Sequence, residues 1–353
     1  MQQADPPARA DTAMAYDVAT GTVVMFGGLS GSQALDDTWT WSGASWHQEH
    51  PLSSPPPLVG PAMAYDPVTR GVLLFGGPSD GIIYANAIAA DSAAKMTTGQ
   101  TWLWDGANWH QMPGPQPPAP FFTHSVSSFE YPPAWMATDP ATRTILLVSS
   151  VAVGPPPQGY GCGGTAEPAC AQTSDDSLTY RWNGGGWTEI GKGPVVSIGT
   201  VMFAGLDVDP ASGKLWIVGI QRGGLRSTPT AVNDWNGSAW DAQRRLEVPG
   251  PGWASFRYET AAASDVVTEQ AVGGTVQTWL YDGSAWHQMA ATAHTPTFPY
   301  GVTMVDDVRE GKIVAFGGWS STGVPDAWAY WNVTWIWDRS GWTQYGAAPS
   351  SGA

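Results

Sequence analysis

"TWLWDGANWHQ", residues 101–111, places three tryptophans within eleven residues. Apolar residues spaced by two, then a Gly-containing turn and another aromatic residue, predict two short strands joined by a tight hairpin. Close copies are "TWTWSGASWHQ" at 38–48, "TWLYDGSAWHQ" at 278–288 and "TWIWDRSGWTQ" at 334–344. With two weaker copies, six phrases share one register, which is set by their last tryptophans: Trp46, Trp109, Trp187, Trp240, Trp286 and Trp342.

A second pattern precedes each phrase. "MAYDVATGTVVMFGG" (14–28) matches "MAYDPVTRGVLLFGG" (63–77), and weaker copies stand at 136–150, 206–220 and 304–318. A worn copy with a hairpin two residues shorter, "AAASDVVTEQAVGG", stands at 261–274. Asp, Pro and Gly between two apolar runs indicate strand, turn, strand. Each unit therefore supplies four antiparallel strands, and six units predict an all-β, six-bladed β-propeller that fills residues 1–353 as a single domain. The blades are expected at about 9–48, 60–111, 133–190, 199–242, 256–289 and 299–344.

The aromatic rows have a structural explanation in such a fold. Bulky side chains on the third and fourth strands fill the wedge between neighbouring blades. We therefore expect the Trp-rich phrases to be buried between blades rather than to bind a ligand.

The chain resembles the kelch-repeat propellers, specifically the Trp-rich bacterial kind related to the propeller domain of galactose oxidase. The resemblance rests on the Gly-Gly doublets and the spaced Tyr and Trp residues that follow them. It implies the fold but no single activity, because one fold hosts many functions. No Tyr-His dipeptide occurs and both cysteines stand in one stretch, so copper-radical oxidase chemistry is disfavoured, and we predict no cofactor and no metal site. The doublets are 27–28, 76–77, 273–274 and 317–318.

Composition limits the classes of partner and the cellular compartments that are expected for the protein. Thirty acidic and 15 basic side chains give a net charge of −15, which disfavours nucleic acid and anionic membrane surfaces. No apolar run approaches the 18 residues of a membrane span, and the first ten residues have no signal-peptide h-region. Cys162 and Cys170, in a Gly- and Pro-rich stretch, predict either a small disulfide or two free thiols. We favour the disulfide, and hence an extracellular or cell-envelope location. Separately, we expect a monomer.

Long connections mark one face of the predicted propeller. The segments 78–100, 151–177 and 319–333 all join a second strand to a third strand, whereas the hairpins at the opposite end are tight. Long loops are often functional, so the candidate site belongs on the loop-rich face, at the mouth of the central channel.

Candidate site residues follow from the entries to the first strands. Alignment of "AMAYD" with "AAASD" makes Asp11 equivalent to Glu259, and these two carboxylates with His124 are the candidate acid–base groups. Charged and aromatic side chains around a cleft suit a polar ligand. The candidate ligand-binding residues are Arg9, Arg257, Tyr258, Tyr300, Tyr84, Trp319, Asp326, Trp328 and Tyr330.

Two functions from different classes are compatible with these residues. The first is a secreted or cell-surface module that binds a glycan, another polar small molecule or a protein through the loop-rich face. The second is an enzyme with mutarotase-, lyase- or cyclase-like acid–base chemistry at the channel mouth, for which sialic-acid mutarotase-like kelch proteins are a precedent by resemblance only. Because the sequence contains no legible catalytic set, whether the protein is an enzyme stays open.

Overall fold

The structure is a computed structural model. In it, the protein consists of β-strands and their connections. Among the residues that it describes there is no helix, and so none long and apolar enough to cross a membrane. The described residues are 5–77, 99–118, 134–150, 177–194, 201–209, 212–221, 230–241, 244–246, 257–261, 264–270, 276–281, 284–289, 301–321 and 328–345.

The described strands form six four-stranded antiparallel sheets, numbered 1 to 6 in chain order, and each comes from one contiguous stretch. Sheet 1 contains β1 (Ala13–Asp17), β2 (Thr22–Phe26), β5 (Thr38–Trp41) and β6 (Trp46–Glu49), with the two-stranded pair β3 (Leu29–Ser30) and β4 (Gln33–Ala34) between β2 and β5. Sheets 2 and 3 contain β7 (Ala62–Asp66), β8 (Gly71–Phe75), β9 (Thr101–Trp104), β10 (Trp109–Gln111), then β11 (Ala134–Asp139), β12 (Thr144–Ser150), β13 (Ser177–Trp182) and β14 (Trp187–Lys192). Sheets 4 and 5 contain β15 (Val201–Val208), β16 (Leu215–Gln221), β17 (Thr230–Asp234), β18 (Arg244–Leu246), then β19 (Arg257–Ala261), β20 (Ser264–Gln270), β21 (Val276–Tyr281) and β22 (Trp286–Gln288). Sheet 6 contains β23 (Thr303–Asp307), β24 (Lys312–Phe316), β27 (Thr334–Trp337) and β28 (Trp342–Tyr345), with the pair β25 (Trp319–Ser321) and β26 (Trp328–Tyr330) between β24 and β27.

The first strands of the sheets surround a common axis. β1 contacts β7, β7 contacts β11, β11 contacts β15, β15 contacts β19, β19 contacts β23, and β23 contacts β1. Sheets arranged radially around an axis in this way are a β-propeller. The prediction of an all-β propeller built from antiparallel sheets is confirmed.

The repeated Asp of the second pattern forms the turn between the first and second strands. Asp17 is buried, and its Oδ1 accepts a hydrogen bond from the backbone N–H of Ala19 at 2.9 Å. The N–H of Gly21 donates to the Asp17 carbonyl at 2.8 Å, and Gly21 has a φ of 72°. Asp66 and Asp139 cap their turns in the same way. This Asp is therefore a turn residue, since its carboxylate is used by the backbone.

The Trp rows are buried between sheets, as predicted. Trp104 and Trp109 of sheet 2 pack against Val24 and Phe26 of sheet 1. The Phe26 and Trp109 rings meet edge to face, with centroids 5.4 Å apart. In the same way, the Trp row of sheet 3 packs on sheet 2, and the Trp row of sheet 1 packs on sheet 6. Each of these rows therefore packs on the preceding sheet.

A hydrogen bond accompanies this packing at five contacts between neighbouring sheets. In each, a Trp donates its indole N–H to a buried Thr hydroxyl on the third strand of the preceding sheet. This Trp begins the fourth strand of its own sheet, except in sheet 4, where Trp240 precedes β18 and bridges to Trp235. The bonds are Trp46 to Thr334 (2.8 Å), Trp109 to Thr38 (2.9 Å), Trp187 to Thr101 (2.7 Å), Trp240 to Thr179 (2.9 Å) and Trp342 to Thr278 (3.0 Å). The first of these joins sheet 1 to sheet 6, and it therefore links the two ends of the chain.

The Gly-Gly doublets lie where another segment crosses the sheet closely. A Cβ on Gly28 would lie 2.7 Å from the carbonyl oxygen of Ala10, and a Cβ on Gly317 would collide with the carbonyl oxygen of Arg9. The segment that leads into β1 thus passes both the doublet of its own sheet and the doublet of sheet 6. Only glycine leaves room for that backbone.

Substitution of Thr38 by Val tests the bond between sheets. Thr→Val keeps the shape but leaves the buried Trp109 N–H without an acceptor, so we expect a loss of about 1–3 kcal/mol in the free energy of unfolding in urea. Thr343→Val, at an exposed position on β28, is the matched control and should change it by less than about 0.5 kcal/mol. Equal losses in the two variants would mean that the bond contributes nothing of its own.

Candidate functional site

The connections between sheets and the long connections within sheets meet at one end of the propeller. The N–H of Gly28 donates to the carbonyl of Leu58 at 2.9 Å, and the N–H of Leu58 donates to the carbonyl of Leu35 at 3.0 Å. At the other side of sheet 1, the N–H of Arg9 donates to the carbonyl of Trp331 at 3.0 Å. We call this the loop-rich end.

Two small hairpins stand at the loop-rich end and touch each other. The pair β3–β4 follows the doublet of sheet 1, and the pair β25–β26 follows the doublet of sheet 6. The Tyr330 hydroxyl donates to the carbonyl of Gly31, at the tip of β3–β4, at 2.9 Å. The sequence analysis identified 319–333 only as a long connection; in the structure, Trp319 pairs with Tyr330 in a two-stranded sheet within it. Trp319 and Tyr330 are both half-buried.

Asp11 lies in a left-handed backbone position where the equivalent residues are glycines. Asp11, Gly60 and Gly301 each stand two residues before the first strand of their sheet, with φ values of 52°, 56° and 65°. The N–H of Gly60 donates to the Asp11 carbonyl at 2.7 Å, and the N–H of Asp11 donates to the Gly301 carbonyl at 2.9 Å. Sheets 6, 1 and 2 are thus joined by a chain of backbone hydrogen bonds at their entries.

The Asp11 carboxylate sits over Gly301 and near Tyr330. A Cβ at position 301 would lie 2.8 Å from Asp11 Oδ1, so the glycine leaves the space that this carboxylate occupies. Burial, and then the negative charge of Asp11, raise the pKa of Tyr330 to about 12. The phenol is therefore protonated at neutral pH, and Asp11 and Tyr330 form a paired acceptor and hydroxyl at the loop-rich end.

Arg9, predicted as a ligand-binding residue, is instead fully buried. Its Nη2 donates to Asp37 Oδ2 at 2.6 Å, Nη1 contacts the other Asp37 oxygen and the Gly27 carbonyl, and Nε donates to the Pro7 carbonyl at 3.0 Å. Burial raises the pKa of Asp37, but hydrogen bonding to Arg9 and its positive charge outweigh this effect, so the net pKa is below the usual value. Arg9 is therefore a structural residue that ties the N-terminal segment to sheet 1.

The predicted equivalence of Asp11 and Glu259 is wrong. The β1–β2 hairpin closes with the pair Asp17–Thr22 and a four-residue turn, whereas the β19–β20 hairpin closes with Ala261–Ser264 and a two-residue turn. The shorter turn moves the register, so Glu259 stands inside β19 and not two residues before it. Arg257 and Tyr258 are likewise strand residues of sheet 5.

The structure describes only some of the remaining predicted residues. Trp328 begins β26, where its backbone pairs with Ser321. The residues of the prediction that lie outside the described part of the chain are Tyr84, His124, Tyr300, Asp326 and the pair Cys162 and Cys170.

Two carboxylates on the inner strands were missed by the sequence analysis. Asp306 on β23 is largely buried, and its Oδ1 has no hydrogen-bond partner. Burial and the charges of Asp207 and Asp307 raise its pKa to about 7, against a smaller opposing effect of Arg339. Asp207 lies on β15, and β19 stands between β15 and β23, so the charge of Asp207 acts on Asp306 from the first strand on the other side of β19.

A signal for these two residues was present in the repeat. "MVDDVREG" has Asp306 where "MAYDVATG" has Tyr16, and "LDVDPASG" has Asp207 where the same copy has Ala15. Acidic residues at positions that other copies fill with apolar or aromatic side chains indicate a local function or a local change in packing. Among the described residues, no group of three or more His, Cys, Asp or Glu side chains is arranged to hold a metal ion.

Comparison with known proteins identifies the fold and no family. No known protein family matches the chain, and no curated protein matches it. The solved structure of YjhT is 11% identical, with a TM-score of 0.57 over 98% of this chain and 99% of that one. A protein of unknown function from Dyadobacter fermentans DSM 18053 is 11% identical, with a TM-score of 0.56 over 96% of each chain. At this identity the likeness shows the fold alone, and the kelch resemblance stays a prediction.

Asp37→Asn tests the structural role of Arg9. It leaves a buried guanidinium without its counter-charge, and we expect a loss of about 3–5 kcal/mol in the free energy of unfolding at pH 7. Because the pKa of Asp37 is lowered from 3.8 by folding, its contribution is present above about pH 4 and is lost as the pH falls further. Asp36→Asn, at the exposed neighbouring carboxylate, is the control. A loss no larger than that of the control would show that Arg9 is held without Asp37.

Asp306→Asn tests the inner carboxyl. Its pKa is raised from 3.8 to about 7 in the folded protein, so the unfolded chain loses the proton first. The stability of the wild type should therefore fall as the pH rises from about 4 to about 7. The variant should lose this dependence and be more stable at pH 8 by roughly 1 kcal/mol or more, as measured by urea unfolding at pH 5 and pH 8. A parallel decline in both proteins would rule out Asp306 as its source.

Proposed function

We propose that the protein is a kelch-type propeller, with its six sheets as the six blades of one ring, that binds a polar ligand at the loop-rich end. The site contains Asp11 and Tyr330, with Trp319 paired to Tyr330 across β25 and β26. The observation that carries the proposal is the left-handed backbone of Asp11.

The left-handed backbone conformation of Asp11 has an energetic cost. A non-glycine residue in a left-handed conformation costs about 1 kcal/mol or more, less for Asp than for most residues, and such strain often persists at ligand sites. The other non-glycine residues with positive φ, Arg70, Arg143 and Arg339, lie in tight hairpin turns and not at an entry to a first strand. Gly60 and Gly301 satisfy the same backbone position without that cost. The aspartate is therefore explained by its side chain, which adds a carboxylate over Gly301 at the entry to the ring.

The chemistry around Asp11 favours a neutral polyhydroxyl ligand, such as a glycan, or a ligand with a cationic group. Asp11 accepts hydrogen bonds, and the Tyr330 oxygen, whose own proton goes to Gly31, keeps lone pairs that accept from ligand hydroxyls. The half-buried rings of Trp319 and Tyr330 offer flat apolar surfaces for the less polar face of a sugar. Since the Arg9 guanidinium is used by Asp37 and the net charge is −15, an anionic ligand is the least favoured class.

An enzyme is the second candidate, and Asp306 favours it. A carboxyl with a pKa of about 7 can both give and take a proton at neutral pH, which suits general acid–base catalysis. Asp207, whose charge contributes to that pKa, would be its partner across the first strand of sheet 5. In this alternative the ligand passes from the loop-rich end to the inner strands, where it is converted.

The proposed extracellular or cell-envelope location rests on Cys162 and Cys170 alone. Mass spectrometry of the native protein with and without reductant distinguishes a disulfide from two free thiols.

The binding proposal is tested with a panel of neutral mono- and oligosaccharides, read by calorimetry. Asp11→Gly keeps the backbone position that Gly60 and Gly301 adopt, so the melting temperature should be nearly unchanged while the affinity falls at least about tenfold. Asp338→Asn, an exposed carboxylate in the turn between β27 and β28, is the control and should bind as the wild type does. Unaltered binding by Asp11→Gly, or no binding by the wild type, would reject this site. Turnover of a bound sugar that Asp306→Asn abolishes without loss of affinity would establish the enzyme instead.

A further inference from the structure

Among the residues that the structure describes, the contact between sheets 4 and 5 lacks the Trp–Thr hydrogen bond that the other contacts share. In sheets 1, 2, 3, 5 and 6, a Thr stands eight residues before the first Trp of the fourth strand, and it accepts the indole N–H of the next sheet. In sheet 4 the residue eight before Trp240 is Val232, which has no acceptor in its side chain. The donor that faces this position from sheet 5 is Trp286, and its buried Nε1 has no hydrogen-bond partner.

The apolar packing at this contact differs as well. Trp216 of sheet 4 and Tyr281 of sheet 5 stack with an interplanar angle of 26° and centroids 6.0 Å apart. Between sheets 1 and 2, Val24 and Trp104 hold the equivalent positions, and the neighbouring ring contact of Trp109 is edge to face at 72°. Apolar contact is non-directional, so stacked rings without the hydrogen bond fill the space but do not fix the two sheets in one register.

On its other side, where it meets sheet 6, sheet 5 takes part in a Trp–Thr hydrogen bond. Trp342 of sheet 6 donates to Thr278 of sheet 5 at 3.0 Å. The closure between sheets 6 and 1 has more: Trp46 donates to Thr334, Thr303 donates to the Thr12 carbonyl at 2.8 Å, and the segment at Arg9 bonds to both sheets. The join between the chain ends is thus well secured.

We propose that the contact between sheets 4 and 5 is the joint at which the ring opens. Sheet 5 stays attached to sheet 6 and separates from sheet 4, while the other contacts hold. Opening there parts β15 from β19 and exposes the inner strand that carries Asp207 to solvent. The ring therefore has a built-in opening for its interior that is distinct from the loop-rich end, and this inference does not depend on the proposed ligand.

The test is native-state hydrogen exchange read by mass spectrometry, with a pair of opposite substitutions. Val232→Thr supplies the missing acceptor between sheets 4 and 5, and Thr38→Val removes the acceptor between sheets 1 and 2. In the wild type, peptides containing β17 and β22 should exchange faster than those containing β5 and β10 by roughly fivefold, the factor that one net hydrogen bond contributes to an equilibrium. Val232→Thr should remove this difference, because it should slow the amide exchange of the β17 and β22 peptides and leave that of the others unchanged. Thr38→Val should speed β5 and β10 by a similar factor.

Two outcomes would overturn the proposal. One is equal amide exchange rates at the two contacts in the wild type, and the other is slower exchange at both contacts in Val232→Thr. A second pair of variants removes any dependence on how Thr is tolerated at position 232. Trp286→Phe deletes an N–H that has no partner, whereas Trp109→Phe deletes one that is bonded to Thr38. The fall in the urea midpoint should be smaller for Trp286→Phe. An equal or larger fall would show that the indole of Trp286 is held as firmly as the others.

Discussion

The hydrogen bond from a Trp indole to a Thr hydroxyl of the preceding sheet is the interaction on which the ring depends. Apolar rings alone fill the wedge between two sheets, but many relative positions of the sheets would bury the same area. A directed bond of 2.7–3.0 Å selects one of them. The same indole buries its ring in the preceding sheet, so packing and polar pairing are satisfied by a single side chain. Substitution of either partner would leave a buried polar group without a partner, which is costly.

The loop-rich end is positioned by a second constraint, which is the close crossing of backbone segments at the Gly-Gly doublets. The segment that enters sheet 1 passes between two doublets and is tied by Arg9 to Asp37. The left-handed position of Asp11 follows from that path, because the chain must turn sharply before β1 begins. Asp11 is therefore held by backbone hydrogen bonds to the entries of sheets 2 and 6, and Tyr330 by its pairing with Trp319 in β25–β26. Rigid support of this kind is what a binding site needs.

The sequence predicted the strands and the aromatic rows because both repeat. Trp104 and Trp109 were placed between sheets from spacing alone, and the structure agrees. Prediction failed where a copy departs from the repeat or where partners are distant in sequence. Glu259 was misplaced because the turn after β19 is two residues shorter, which shifts every position before it. The burial of Arg9 depends on Asp37, 28 residues away in a connection with no repeat pattern. The raised pKa of Asp306 arises from burial and then from the charge of Asp207, on a strand almost a hundred residues earlier in the chain.

Within one unit, the Thr that accepts one such bond and the Trp that donates another stand on opposite sides; the fourth unit, with Val232 in place of the Thr, is the exception. A unit therefore presents an acceptor to the sheet that follows and a donor to the sheet that precedes, so neighbouring units associate head to tail. Interfaces of this type form an open helix or a closed ring, according to whether the rotation per unit divides the circle. Here Trp46 of the first unit meets Thr334 of the last unit, and the succession closes. Tandem duplication of a four-strand segment would carry both halves of the bond with it. A propeller of this kind can thus gain a unit in evolution without inventing a new interface, provided that the circle still closes.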